Sequence, residues 1–270
     1  MGRALFAVLT ATATFAACSS FQPTESSEPA SSDAGEATAE DAGSGPGAEK
    51  DSAPADPTFC ERQDAALFCD DFEQPGRSLE TPAPWDALAG DAKAVMSRGG
   101  GFASPFGLRL HGTLGDGEGR RLKKIIPLAD KPIRWAFRLR VDRLEAQSGG
   151  AQIVVASFEF ASNRHLDYRL YEDADGLTGY SATNLAGSGS NNNYFAKPPV
   201  GLRFDDWMAV RIEFEPKNGS EEFRFFVGTE LLSSLRLDVE SSSTIALGAR
   251  LAGDAVAFDV TADDVLVTEL

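Results

Sequence analysis

Of 270 residues only three are Cys, two are His, three are Trp and three are Met. No second cysteine pair exists and His111 and His165 lack ligand spacing, so a zinc framework is disfavoured. Basic residues are also scarce, 25 Lys and Arg against 41 Asp and Glu, for a net charge of -16. That balance excludes the basic footprint expected of general nucleic-acid binding. No apolar run reaches the roughly 20 residues that span a bilayer. Helical patterning is limited to a short stripe over Glu61 to Leu67. The chain has no Ser-His-Asp elbow, phosphate loop or dinucleotide fingerprint, so the common nucleophilic and nucleotide chemistries have no visible apparatus.

What is present falls into three segments. Residues 1–18, MGRALFAVLTATATFAAC, carry one charge at Arg3, then an uncharged stretch from Ala4 to Ala17 ending at Cys18. This is the layout of an export signal. Phe15-Ala16-Ala17-Cys18 resembles the lipobox of bacterial lipoproteins, although Phe15 stands where Leu is usual. The resemblance implies that Cys18 receives a lipid and becomes the mature N-terminus. An ordinary secretory signal cut nearby is the alternative. With Ser19 and Ser20 following, and no Asp at the second mature position, the resemblance to Gram-negative lipoproteins further implies the outer membrane. The partner at this end is then the membrane itself, reached through the lipid.

Residues 19–57 contain nine acidic residues, one Lys and a single large apolar side chain, Phe21. They cannot bury enough surface to offset the entropy of ordering, so a disordered acidic tether is expected. As a flexible coil its r.m.s. span would be roughly 35 Å. Residues 58–270 hold the remaining cysteines, Cys60 and Cys69. In an exported domain the default for such a pair is a disulfide.

From Thr58 onward the period of hydrophobicity is two. Ile133, Trp135, Phe137, Leu139 and Val141 alternate with Arg134, Ala136, Arg138, Arg140 and Asp142. Val210, Ile212 and Phe214 alternate in the same way, and Phe223, Phe225 and Val227 follow a Lys217-Asn218-Gly219-Ser220 turn, so residues 207–228 read as a hairpin. Further alternating runs lie at 107–112, 121–128, 152–160, 166–171 and 255–268. About a dozen short strands punctuated by Gly, Asn and Pro predict an all-β fold, an antiparallel β-sandwich in one domain.

Several segments, in order, resemble the concanavalin A-like lectin/laminin G-like jelly rolls of exported bacterial proteins. They are Leu67-Phe68-Cys69-Asp70-Asp71-Phe72-Glu73, Ser104 to Leu110, Asp206-Trp207-Met208 to Glu213, Phe225 to Leu231, and Phe258 to Val267. The resemblance implies that the first and last strands lie side by side, with a structural calcium held by Asp71, Glu73 and Asp264. Turn capping by Asp71 and Asp264, or pairing with nearby Arg, is the other use for these carboxylates.

Hydrolases of this architecture carry Glu-x-Asp-x-x-Glu on one strand, which this chain lacks. Related lyases use Gln, His, Arg and Tyr to neutralise a uronate and move a proton. Here Gln152-Ile153-Val154 has Val in the His position, and His165 stands elsewhere. What remains is a surface for recognition. Arg138 and Arg140 on one strand, Arg169 and Tyr171 on another, and Tyr194 in the loop from Gly187 to Phe195 are the candidate ligand contacts, through bidentate bonds and stacking. Pairing of these arginines with Glu159, Asp167 and Glu213 is the alternative use. The expectation is a non-catalytic jelly roll that displays a polysaccharide- or other ligand-binding surface. A divergent lyase or hydrolase, or a structural envelope protein, stands behind it.

Overall fold

The computed structural model describes residues 56–270 except 92, 116–117, 128–130, 147–149, 161–163, 185–190, 195–201, 218–220, 238–241 and 252–254. Cys18, the segment up to 55, the Asn218-Gly219 turn and part of the 187–195 loop therefore lie outside the described residues. A 3-10 turn, Cys60–Arg62, is followed by β1 (Ala66–Asp70), β2 (Ala87–Gly90), β3 (Ala94–Arg98), β4 (Leu108–Leu114) and β5 (Gly119–Pro127). Then come β6 (Ile133–Ala146), β7 (Ala151–Glu159), β8 (His165–Asp173), β9 (Gly176–Asn184) and β10 (Asn191–Tyr194). The chain closes with β11 (Met208–Glu215), β12 (Glu221–Val227), β13 (Glu230–Leu237), β14 (Ser242–Leu251) and β15 (Val256–Glu269).

These strands form two antiparallel sheets. One is eight-stranded, in the order β13-β12-β11-β6-β15-β4-β3, with β1 added against β15. The other is seven-stranded, in the order β10-β9-β8-β7-β14-β5-β2. The alternation on β6 explains its place. Ile133, Trp135, Phe137, Leu139 and Val141 are all buried, while the arginines between them are half-buried on the outer face. Burial of each such side chain is worth about 1.5 to 3 kcal/mol. Between the sheets Trp135 meets Phe158 of β7 edge-on, with ring centroids 5.4 Å apart, and Phe158 meets Phe223 of β12 in the same way.

β15 is the seam of the fold. Val256 to Ala262 pair with β4, whereas Val265 to Thr268 pair with β1. The partner changes at a register shift between Asp263 and Leu266, where Asp264 adopts φ +50°. The first and last strands are thus neighbours. Cys60 and Cys69 form the disulfide, tying the 3-10 turn to β1.

Three expectations change. The helical stripe over Glu61 to Leu67 is only the three-residue 3-10 turn leading into β1, because Phe68 must point into the core. Residues 191–194, placed in a loop, pair with β9. The strands at 133–143 and 166–171, whose arginines could share a surface only if both lay in one sheet, belong to opposite ones.

Candidate functional site

On β8, Leu166, Tyr168 and Leu170 enter the core, so His165, Asp167, Arg169 and Tyr171 project from the outer face of the seven-stranded sheet. The same parity puts Arg121 and Lys123 of β5, Gln152, Ser157 and Glu159 of β7, Tyr180 of β9 and Arg250 of β14 on that face. Register brings them together: Arg169 lies opposite Val154 and Tyr180, and Val154 lies opposite Arg250.

Asp167 is the hub. Its side chain is fully buried, and it accepts hydrogen bonds from Arg169 at 2.9 Å and from Arg250 at 3.0 Å. His165 Nε2 stands 3.6 Å away. Glu159 is a second hub, paired with Arg121 and, at 2.5 Å, with Lys123. Gln152 donates to the Tyr180 hydroxyl. Four cations therefore surround two carboxylates, on a domain in which acids outnumber bases. Arg250 Nε and Ser157 Oγ are buried without a hydrogen-bond partner among the described residues. Buried donors of this kind are costly to leave unmade.

The titration behaviour follows from this crowding. Burial lowers the Arg121 pKa, with Glu159 opposing and Arg250 adding to it. Burial would raise the Glu159 carboxyl, but Lys123 and Arg121 outweigh it and hold the group below its ordinary value. Burial also pushes His165 down, against the pull of Asp167, so at neutral pH it is uncharged. The Tyr180 hydroxyl is pushed up by burial.

The other candidates lie elsewhere. Arg138 and Arg140 sit on β6, on the outer face of the eight-stranded sheet, so they do not join Arg169 and Tyr171 in one surface. Alternation fixes which face a side chain takes but not which sheet its strand joins. Arg138 stacks over Phe102 at 4.4 Å, and Arg140 over Trp207 at 5.1 Å while pairing with Asp142. Tyr194 is placed by its backbone alone, opposite Ser181 at the edge of the seven-stranded sheet. Of the pairings weighed for the arginines, Arg134 with Glu213 and Arg169 with Asp167 are made, whereas Glu159 takes Arg121 and Lys123 instead.

Asp71, Glu73 and Asp264 do line one cavity, at the seam between β1 and β15. Two of them already accept backbone hydrogen bonds: Asp71 from the Cys60 and Glu73 amides, and Glu73 from the Phe106 amide. Arg62 and Arg138 share the lining and supply positive charge. Among the described residues no three His, Cys, Asp or Glu side chains gather closely enough to hold an ion. As arranged, these three carboxylates are not drawn together into the close shell of oxygen ligands that calcium takes. Asp263 beside them is pushed up to about 7 by burial, and its Oδ1 has no partner among the described residues.

No family model and no curated protein sequence matches the chain. Among solved structures it is similar to an endo-1,3-beta-glucanase from Streptomyces sioyaensis, with a TM-score of 0.52 and 13% identity over 81% of this chain and 99% of that one. The chain folds as a concanavalin A-like jelly roll. The cellulose induced protein Cip1 superposes at 0.47 with 12% identity, over 74% of this chain and 96% of that one. The alginate lyase AlyC3 gives 0.46 with 10% identity, over 60% and 75%. At these identities the likeness is one of fold alone.

Sequence reasoning placed Arg169 and Tyr171 but missed Arg121, Lys123, Asp167 as a hub, Tyr180 and Arg250. Arg250 follows the alternating Ile245, Leu247 and Ala249, which was the available signal. Nothing in the sequence reveals that β14 lies between β5 and β7.

Proposed function

We propose that the chain is an exported lipoprotein, anchored in the outer membrane through Cys18, whose jelly-roll domain binds an acidic polysaccharide without cleaving it. The observation that carries the binding is the excess of cations on the outer face of the seven-stranded sheet. Arg121, Lys123, Arg169 and Arg250 stand around Asp167 and Glu159 there. Guanidinium groups held in place by such hubs present free N–H edges to carboxylates, with bidentate geometry and little further loss of side-chain entropy. The support for the anchor is the uncharged stretch from Ala4 to Ala17 running into Cys18. A polyuronate is the ligand that this charge pattern favours.

A lyase reading has one observation in its favour, the presence of His165, Gln152, Tyr180 and two arginines on one face. Proton abstraction and leaving-group protonation must, however, meet at adjacent atoms of one sugar. His165 and the Arg169 position opposite Tyr180 are separated by about 13 Å along β8, at 3.3 to 3.4 Å per residue. Burial also keeps the Tyr180 hydroxyl from ionising to act as a base. Binding without elimination is the better account.

The test is electrophoresis through gels containing alginate or polygalacturonate, with a neutral glucan as control. Retardation by the polyuronates alone, lost in Arg169→Gln and Arg250→Gln, is expected. Equal mobility in all gels would contradict binding. Growth of the ultraviolet absorbance of unsaturated uronate during incubation would establish the lyase.

A further inference from the structure

On the other sheet, a cavity of about 520 Å³ opens beside β6, between the segment leading into β11 and the turn joining β12 to β13. Two backbone features fix its walls. Asp205 takes φ +64°, a conformation Asp tolerates better than most residues, and donates its amide to the Val141 carbonyl. Gly228 takes φ +59° in the hairpin turn and donates to the Ala209 carbonyl. Between these walls stand Arg138, Arg203, Asp206, Trp207, Thr229 and Glu230.

Trp207 is the one tryptophan of the three that is not buried, since Trp85 is 3% and Trp135 0% exposed. Its ring is held by Phe102 edge-on at 5.8 Å and by Arg140, neither of which lines the cavity. The indole is therefore a fixed platform. Arg203, Asp206 and Glu230 are exposed, and none of their three side chains makes a hydrogen bond or ion pair with another described residue.

We propose that this cavity is a second carbohydrate site, selective for neutral hexose oligosaccharides. A sugar ring offers an apolar C–H face and a rim of hydroxyls that both donate and accept. Trp207 supplies the matching apolar surface, as a rigid aromatic with a large contact area. Asp206 and Glu230 accept from hydroxyl pairs, while Arg138 and Arg203 donate to them. Two guanidinium groups balance two carboxylates, so the lining carries no net charge and gives a polyuronate no advantage. This separates it in chemistry as well as position from the cationic face of the seven-stranded sheet, and the inference does not rest on that site.

Tryptophan emission reads the site directly, because Trp85 and Trp135 are shielded in the core. Titration of the protein with cellotetraose and mannotetraose should produce a saturable change with at least one of them. Trp207→Phe should abolish that change. The double variant Asp206→Ala with Glu230→Ala, altered only at exposed positions and with the reporter intact, should bind at least tenfold more weakly. Arg169→Gln on the opposite sheet should leave the titration unaltered. Absence of both an emission change and a calorimetric heat with either sugar would overturn the proposal. So would an unchanged affinity in the double variant, tighter binding of an oligouronate in the same titration, or loss of the signal in Arg169→Gln.

Discussion

Two residues illustrate how burial turns a surface group into a structural one. Asp70, 3% exposed, accepts hydrogen bonds from Arg77 at 2.5 Å, from the Trp85 indole at 2.6 Å and from the Phe72 amide at 3.0 Å. Its neighbour Asp71 points the opposite way, into the seam cavity, because side chains alternate along an extended strand. Asp70→Ala would leave Arg77, whose side chain is 4% exposed, charged and unpaired. Breaking such a pair costs about 3 to 5 kcal/mol. With roughly 2 to 4 °C per kcal/mol for a domain of this size, calorimetry should find the melting temperature lower by about 10 °C. His165 gives the pH dependence. Its folded pKa lies below its ordinary 6.5, chiefly through burial. The unfolded chain therefore takes up the proton first as pH falls, and stability is lost from about 6.5 downward. Asp263, pushed up to about 7, acts in the opposite sense over the same range, so the His165 contribution is read as a difference: between about pH 8 and 5 the wild type should lose stability relative to His165→Gln as pH falls. Parallel curves for the two proteins would contradict it.

At the scale of elements, legibility depended on how cleanly a strand separates its two faces. β6 and the β11–β12 hairpin could be read directly, since their core positions are large apolar residues and their outer ones are mostly polar, Ala136, Ala209 and Phe226 excepted. β9 could not. Its inward positions include Gly179 and Ser181, where a Cβ on Gly179 would lie 2.4 Å from the Tyr168 hydroxyl and Ser181 bonds Ser233 across the sandwich. Small residues there make room for a large one opposite, so the apolar signal sits on another strand. The candidate site was half legible for a related reason. Parity along β8 gave the face of Arg169 and Tyr171, but the order of strands, which brings Arg250 and Tyr180 beside them, arises only from long-range pairing. The disulfide was legible from cysteine count alone. It closes a loop of about ten residues, which the chain-entropy estimate values at about 3 kcal/mol. Cys60→Ser with Cys69→Ser should lower the urea midpoint accordingly, with a slope equal to or somewhat steeper than that of the wild type, because the unfolded chain loses its cross-link and can expose more surface.

At the scale of the whole molecule, the distribution of charge is the organising fact. Residues 19–57 carry nine acids and one Lys, and the domain is also acidic, yet one sheet face concentrates cations. General attraction to anions is thereby suppressed while one surface remains open to them. On the proposed anchoring, retention at the membrane would rest on Cys18, and Cys18→Ser should then abolish incorporation of a labelled fatty acid and release the protein in soluble form. Equal labelling of variant and wild type would remove the anchor from the account. The most direct test of the central claim is a crystal structure of the protein soaked with a tetrauronate. The account predicts sugar carboxylates within hydrogen-bond distance of Arg169, Arg250 or Lys123 on the seven-stranded sheet. A bare face at saturating ligand, or sugar bound only on the opposite sheet, would contradict it.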